Sequence, residues 1–238
     1  RNYGIPKQKG WRGVSSSTTP SAAGRQSDED ASWQPRLASW LTQNIPGFGT
    51  LQEMTKFPGG QSNPTYRLSD GARNYVLRRK PFGKTLPSAH AVDREYRLIS
   101  ALHPSGFPVA RAYGLCEDTE VIGAPFYVME MVEGRTFWDG LLPEADKGER
   151  RAIYHATVDA LADLHNIDPQ AVGLGDYGAP GGYFERQVGR WTKQYRASQT
   201  DEIDEVERLI DWLPRTLPQQ DRTAIIHGDY RIDNLIFA

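Results

Sequence analysis

The sequence IIHGDYRIDNLIFA, residues 225–238, places a dense group of polar side chains inside an apolar frame. The frame is two isoleucines before the group and Leu-Ile-Phe after it. This pattern predicts a loop between two buried strands, and loops held by a rigid scaffold often carry catalytic groups. His227 is interpreted as a buried, structural imidazole. Arg231 is open to two interpretations, a contact with substrate or a tie that holds the loop.

Asp229 and Asn234 lie five positions apart in the pattern H-x-D-x-x-x-x-N. Phosphoryl transfer needs a carboxylate that positions or deprotonates the acceptor hydroxyl, and an oxygen ligand nearby for Mg²⁺. Within one tight loop, this spacing lets both side chains face the same metal-bound phosphate. The loop therefore predicts phosphoryl-transfer chemistry.

The composition of the 238 residues fits one large domain or two smaller lobes. A net charge of −2 gives no global field for nucleic acid or anionic membrane, so we expect neither as a partner. Cys116 is the single cysteine and cannot form an internal disulfide, which predicts a reducing, cytoplasmic location. No apolar run approaches the ~20 residues that cross a bilayer.

Residues 1–35 differ from the rest of the sequence. Before Asp28 the segment has basic residues and no acidic one, and SSSTTPSAAG (residues 15–24) offers almost nothing to bury. One interpretation is a disordered tail. The other is part of a mitochondrial transit peptide, which would make the location mitochondrial.

The remaining pattern predicts an α+β fold of two unlike lobes, a strand-rich lobe over residues 36–131 and a helical lobe over 132–238. The predicted strands and helices are a short helix at 35–45, strands at 49–57, 65–68 and 75–80, a helix that follows Pro87 with Ser88 as its cap and runs to about Leu102, strands within 106–118 and 124–132, and helices at 147–165, 183–197 and 202–213. A turn is predicted at 69–74.

The stretch GGQSNPTYRL, residues 59–68, places paired glycines between two predicted strands. Such glycines let the backbone approach a ligand closely and point amide N–H groups at an anion. Ser62 and Asn63 add polar donors. The alternative is a simple turn.

A predicted strand and helix together suggest an ion pair. Alternation places Val76, Arg78 and Lys80 on one face of the strand. Glu95 falls on the apolar stripe of the following helix, where a carboxylate is costly unless it is paired. We therefore expect Glu95 to be buried against Arg78. The alternative is a solvated Glu95 that is balanced locally by basic residues of its own helix.

With these pieces in order, residues 36–238 resemble the aminoglycoside phosphotransferase and choline kinase-like branch of the protein-kinase-like fold, which has two lobes. HGDYRIDN is the most specific part of the resemblance. YVLRRKPFGKTLPSAHAVDREYRLISAL and LHNIDPQAVGLGDYG look closer still to a subgroup of kinase-like domains found beside acyl-CoA dehydrogenases, and to their free-standing bacterial relatives.

The resemblance implies ATP and Mg²⁺ as cofactors and assigns roles by position. Asp229 would be the catalytic base and Asn234 a Mg²⁺ ligand. Arg78, held by Glu95, would replace the usual lysine at the α- and β-phosphates, with Lys80 as an alternative. The remaining cofactor-binding residues would be Gly59, Gly60, Ser62 and Asn63 over the phosphates, and Glu130 and Val132 at adenine.

The family pattern continues after Phe237 with a further strand that carries a metal-binding Asp. The sequence is therefore interpreted as a fragment of a kinase that phosphorylates a small-molecule hydroxyl, with hydroxyacyl thioesters as one acceptor class. The alternatives are a catalytically inactive kinase-like module that binds nucleotide or protein, and a fragment without a function of its own.

Overall fold

The computed structural model of the protein describes residues 28–57, 63–82, 91–179, 181–220 and 222–238. Gly59, Gly60 and Ser62 of the predicted phosphate loop lie outside these residues, as does the basic part of the predicted tail. The helices are α1 (Asp28–Asn44), α2 (Val92–Leu102), α3 (Thr119–Ile122), α4 (Lys147–Asn166), α5 (Tyr183–Ser198) and α6 (Asp204–Trp212). The strands are β1 (Glu53–Lys56), β2 (Thr65–Ser69), β3 (Asn74–Arg79), β4 (Ala112–Cys116) and β5 (Phe126–Glu130).

The five strands form one antiparallel sheet in the order β1-β2-β3-β5-β4. Strand β3 lies at its centre, and Tyr75, Val76 and Leu77 are buried in succession. A central strand that is covered on both faces buries side chains that point either way. The predicted α+β class is confirmed.

Helix α1 covers one face of the sheet through Trp33, Leu37 and Leu41, which repeat every four residues, and Ile45 continues this spacing just after the helix ends. It begins at Asp28, inside the segment predicted to be a tail, and contains Pro35. A proline in a helix interior costs about 3 kcal/mol. Each buried large apolar side chain contributes roughly 1.5–3 kcal/mol, so the apolar stripe offsets that cost.

Helix α2 lies against the opposite face of the sheet, next to β4 and β5. Leu77, Phe126 and Val128 belong to the core under α1. Alternation therefore turns Arg78 and Tyr127 toward α2. Val92 and Leu102 of α2 are buried.

The chain divides into two compact units. One extends to Leu161 and also includes Gly228–Ala238, and the other is Ala162–His227. In the second unit, Arg196 of α5 and Glu207 of α6 form a two-pronged ion pair. The boundary predicted at residues 131–132 falls inside the first unit. No helix in the described part of the chain could span a membrane.

The prediction of two buried strands around the terminal loop is wrong. Residues 222–227 have no regular structure, and Ile226 is 50% exposed. After the loop, Phe237 makes an isolated antiparallel bridge with Arg135. A strand requires a hydrogen-bonded neighbour, and the described residues around Ile226 provide none.

The predicted turn between β2 and β3 is confirmed and is organised by Asp70. The Asp70 carboxylate accepts hydrogen bonds from the N–H groups of Ala72 at 2.9 Å, Arg73 at 2.7 Å and Gly49 at 3.2 Å. It also accepts one from the buried Tyr75 hydroxyl at 3.3 Å. Burial raises the pKa of Asp70, but the hydrogen bonds together lower it by more than burial raises it. The pKa therefore lies below its ordinary value of 3.8.

We predict that Asp70→Ala lowers the free energy of unfolding by roughly 1–3 kcal/mol, because several donors lose a shared buried acceptor. The folded-state pKa is depressed. The stabilisation that the ionised Asp70 carboxylate gives to the fold is therefore complete above the ordinary pKa. It is lost as the pH falls through the lower pKa of the folded state. Urea unfolding at pH 7 and at pH 3 measures both effects. Asp139→Ala is the control, because the exposed Asp139 caps only the N–H of Leu141. Equal losses in both variants would contradict the prediction.

Candidate active site

A cluster of polar side chains is organised around the carboxylate of Glu95 on α2. One oxygen, Oε1, accepts a hydrogen bond from Asn63 Nδ2 at 2.9 Å. The other, Oε2, accepts one from the Tyr127 hydroxyl at 3.1 Å and lies 2.7 Å from Arg78 Nε. The carboxylate therefore joins the start of β2, the strands β3 and β5, and α2.

The predicted pairing of Arg78 with Glu95 is confirmed, but the predicted burial of the pair is not. The side chains are 32% and 35% exposed, respectively. The Nε–H does not point at the carboxylate oxygen, so the contact is an ion pair without an aligned hydrogen bond. Solvent therefore reaches both partners of the pair. Its loss should therefore cost less than the loss of a fully buried pair.

Arg78 uses its inner nitrogen for Glu95, and its two Nη groups have no partner among the described residues. A guanidinium presents five N–H donors in a planar fork. One side chain can therefore bind the carboxylate with Nε while its outer nitrogens remain available for an anion. A lysine has one ammonium for both tasks.

Tyr127 belongs to the cluster and was not identified from the sequence. It is the cross-strand partner of Arg78 in the antiparallel pairing of β3 with β5. Directly opposite side chains lie on the same face of a sheet, so both reach Glu95. Burial raises the pKa of Tyr127, and the neighbouring charge of Glu95 raises it further. The hydroxyl therefore stays protonated and acts as a donor.

Asn63 was predicted to contact ATP phosphates, together with glycines outside the described residues. The structure buries Asn63 and directs its amide nitrogen to Glu95. The Asn63 amide thus contacts the residue that pairs with Arg78. Direct contact with phosphate stays a prediction, as it does for Gly59, Gly60 and Ser62.

Three consecutive basic residues lie at the end of β3 and just after it, and alternation places the two arginines on opposite faces of the sheet. Arg79 turns away from Arg78 and is buried, with its guanidinium 3.7 Å from the Phe82 ring centroid. It donates a hydrogen bond to the carbonyl oxygen of Lys80 at 3.1 Å. Lys80 follows the strand and is half-buried. Arg78 is therefore the cation of β3 that Glu95 holds.

The candidate adenine-binding segment begins at the end of β5. The N–H of Glu130 donates to the Arg111 carbonyl oxygen at 2.8 Å, and the N–H of Arg111 donates to Glu130 Oε2 at 3.1 Å. The N–H of Glu130 is thus already engaged, which leaves its carbonyl oxygen as the group it could offer to a base. Val132 is half-buried and lies just beyond the strand.

The terminal loop brings Asp229 and Asn234 together. Asn234 Nδ2 donates to the Asp229 backbone carbonyl at 2.9 Å and to Asp229 Oδ2 at 3.0 Å. Both side chains are exposed. Gly228 turns the chain just before them at φ +85°, a conformation that L side chains rarely adopt. Because its nitrogen faces Asp229, Asn234 keeps its side-chain oxygen for another partner.

Arg231 ties the loop internally, which favours the second of its two predicted interpretations. Its guanidinium donates through Nε to Asp233 Oδ1 at 3.0 Å and through Nη2 to Asp233 Oδ2. These hydrogen bonds lower the pKa of Asp233. His227 is exposed, so its interpretation as a buried imidazole is wrong.

The end of the loop is fixed by a close backbone approach. Arg135 and Phe237 exchange two hydrogen bonds of 2.9 Å, and their neighbour Gly134 leaves no room for a side chain. A Cβ at Gly134 would lie 2.6 Å from the Phe237 carbonyl oxygen. Phe237 also packs against Phe137, with ring centroids 5.4 Å apart.

Carboxylate, imidazole and thiol side chains do not gather in threes as a metal site anywhere in the described residues. Mg²⁺ that binds with a nucleotide usually takes only one or two protein ligands, with phosphates and water filling the other positions. The side-chain oxygen of Asn234 and the carboxylate of Asp229 are the oxygen donors that the loop offers.

Comparison with known families matches residues 53–238 to the phosphotransferase enzyme family. Acyl-CoA dehydrogenase family member 10 from Mus musculus is 50% identical over 185 residues, which is 78% of this chain and 17% of the relative. Acyl-CoA dehydrogenase family member 11 from Homo sapiens is 46% identical over 206 residues, 84% of this chain and 26% of the relative. The chain thus spans about a quarter or less of these relatives.

Solved structures give the same fold. A crystal structure of a candidate aminoglycoside phosphotransferase from Ralstonia eutropha is 48% identical, with a TM-score of 0.77 over 85% of this chain and 60% of that one. A GDP and kanamycin complex of another aminoglycoside phosphotransferase is 15% identical, with a TM-score of 0.60 over 84% of this chain and 66% of that one. At this lower identity, the likeness is one of fold.

We predict that Glu95→Ala lowers the free energy of unfolding by about 1–2 kcal/mol, less than the roughly 3–5 kcal/mol expected for breaking a buried pair. The change removes an acceptor shared by three side chains, but solvent still reaches Arg78. Glu53→Ala is the control, because Glu53 pairs with Arg67 at 3.7 Å on an exposed surface. Denaturant titrations measure both losses. A loss for Glu95→Ala no larger than that of the control would show that the cluster is not a stabilising centre.

Proposed function

Because the chain belongs to the phosphotransferase enzyme family, we propose that it carries the nucleotide site and the catalytic base of an enzyme that phosphorylates a hydroxyl group with ATP. The observation that carries this proposal is the pairing of Asp229 with Asn234 on an exposed, internally braced loop. A carboxylate and an amide oxygen side by side provide both a base and an oxygen ligand for a nucleotide-bound cation.

In the proposed reaction, Asp229 accepts a hydrogen bond from the acceptor hydroxyl and takes its proton as the hydroxyl oxygen bonds to the γ-phosphorus. The bond from the γ-phosphorus to the bridging oxygen breaks, and ADP leaves with that electron pair. The hydrogen bond from Asn234 fixes one carboxylate oxygen, Oδ2. In the proposed complex, the acceptor hydroxyl lies beside the other oxygen, Oδ1.

Mg²⁺ fits the donor set, since the oxygen of Asn234 is not the atom that binds Asp229. Asn234 would hold the ion together with nucleotide phosphates and water. When bound, Mg²⁺ would neutralise charge on the phosphates.

Arg78 supports the nucleotide part of the proposal. Its Nη groups would donate to the α- and β-phosphates while Glu95 fixes the inner end of the guanidinium. At the far end of β5, the carbonyl of Glu130 and the N–H of Val132 would bind the edge of adenine. Asn63 and Tyr127 would hold the Glu95 carboxylate in place, and Glu95 would in turn orient Arg78.

For the acceptor, we propose a hydroxyacyl thioester. The support is that relatives 46–50% identical to this chain carry the name acyl-CoA dehydrogenase family member and are several times its length. A kinase region within such proteins would act on an acyl-CoA that bears a free hydroxyl group. An aminoglycoside acceptor, as named for several structures of this fold, is the alternative that the same assay tests.

Asp229→Asn should reduce turnover by about 10²–10⁴-fold, because the amide cannot take the proton, while nucleotide affinity stays nearly unchanged. ADP formation is followed with MgATP and a panel of hydroxyacyl-CoA thioesters and aminoglycosides, and binding is followed by calorimetry. Asp139→Asn is the control, an exposed carboxylate remote from the loop in sequence. Full turnover in Asp229→Asn would exclude Asp229 as the base. MgATP binding without turnover of any acceptor by the unaltered protein would favour an inactive binding module.

A further inference from the structure

The side chain next to the candidate base makes a long-range contact of its own. Tyr230 directly follows Asp229, and its hydroxyl donates a hydrogen bond to the Thr157 backbone carbonyl at 2.6 Å. Asp229 is exposed, whereas Tyr230 is half-buried. The two neighbours thus differ in environment, one open to solvent and the other bonded to the helix α4.

The acceptor of this hydrogen bond belongs to a helix that is packed against a small hydrophobic core. Thr157 lies within α4, and its own hydroxyl bonds to the Ile153 carbonyl at 2.9 Å. Ile153 is fully buried in a small core with Leu142 and Ala145. A contact with the Thr157 carbonyl therefore connects the loop to the backbone of a packed helix.

On the other side of the candidate site, the loop is held by different forces. Ile232 and Phe237 pack against the same small core, and Phe237 exchanges backbone hydrogen bonds with Arg135. The short helical turn Ile232–Asn234 begins at the first of these contacts, two residues after Tyr230, and ends before the second. The segment that contains Asp229 and Asn234 is thus fixed at both ends, and Tyr230 provides a polar tether at the Asp229 end.

We propose that Tyr230 is a positioning residue for phosphoryl transfer, which holds Asp229 at the distance and angle from which it can take the acceptor proton. This rests on the proposed function of Asp229. Tyr230 acts through the backbone it shares with Asp229 and does not touch the reacting atoms. A misplacement of a catalytic group by about 1 Å can cost 10²-fold in rate. A tether that restrains the base is therefore expected to affect turnover more than nucleotide binding.

Tyr230→Phe tests this proposal, since it keeps the ring and removes the donor. The matched control is Tyr154→Phe, because the Tyr154 hydroxyl donates to the Gly140 carbonyl and involves the same helix without touching the loop. Hydrogen exchange at the amides of Asn234 and Leu235, which close the turn with bonds of 3.0 and 3.2 Å, reports loop order without any substrate. We expect roughly three- to tenfold faster exchange at these amides in Tyr230→Phe and no change in the control.

Turnover provides the second measurement. With MgATP and the acceptor that gives activity, kcat should fall about tenfold or more in Tyr230→Phe while the KM for ATP stays within about twofold. Unchanged exchange at the loop amides would overturn the tether, whatever the activity. Faster exchange with full kcat would overturn the positioning role. If the unaltered protein turns over no acceptor, the proposed function fails, and with it the positioning role, while the exchange data still decide whether the tether exists.

Discussion

The carboxylate of Glu95 is the group on which the candidate nucleotide site depends. It accepts from Asn63 and Tyr127 and pairs with Arg78, so one side chain of α2 contacts a residue just before β2 and one residue each of β3 and β5. A carboxylate offers about four lone-pair sites, enough for all three partners. Removal of Glu95 would leave a cation and two donors without their common acceptor. The pair is half-exposed, so its importance lies in orientation more than in stability.

This contact gives a physical account of how an arginine could serve at the position where the family resemblance implies a lysine. Arg78 contacts Glu95 through Nε, and its two Nη groups have no partner among the described residues. The fork then has two nitrogens for an anion, and its planarity fixes where they point. The terminal loop follows a similar principle, because Asn234 donates through its nitrogen to Asp229, and its oxygen would bind the proposed cation. In both places, one end of a side chain contacts a protein carboxylate, and the proposed ligand would bind the other end.

The pairing of Arg78 with Glu95 could be predicted from local patterns, because alternation in β3 and the helical period in α2 place the two side chains on facing surfaces. The contact of Tyr127 with Glu95 could not be predicted, because it depends on β5 lying beside β3. Strand order is a property of the whole sheet. The prediction of a buried strand at Ile226 was wrong for a related reason. Apolar side chains favour burial, but a strand also needs a hydrogen-bonded neighbour, which the local sequence does not specify. The start of α1 at Asp28 was not predicted, because a proline usually marks the first turn of a helix and Pro35 therefore suggested a later start. The packing of Trp33 in the core under the helix is a tertiary contact that the local sequence does not show.

The most direct measurement is a crystal structure of the protein with Mg²⁺ and a non-hydrolysable ATP analogue. The account predicts that the Nη atoms of Arg78 lie within about 3.2 Å of α- or β-phosphate oxygens while Nε remains on Glu95. It also predicts that the side-chain oxygen of Asn234 faces the metal. An analogue whose phosphates are held by Lys80, with Arg78 turned away from them, would contradict the account.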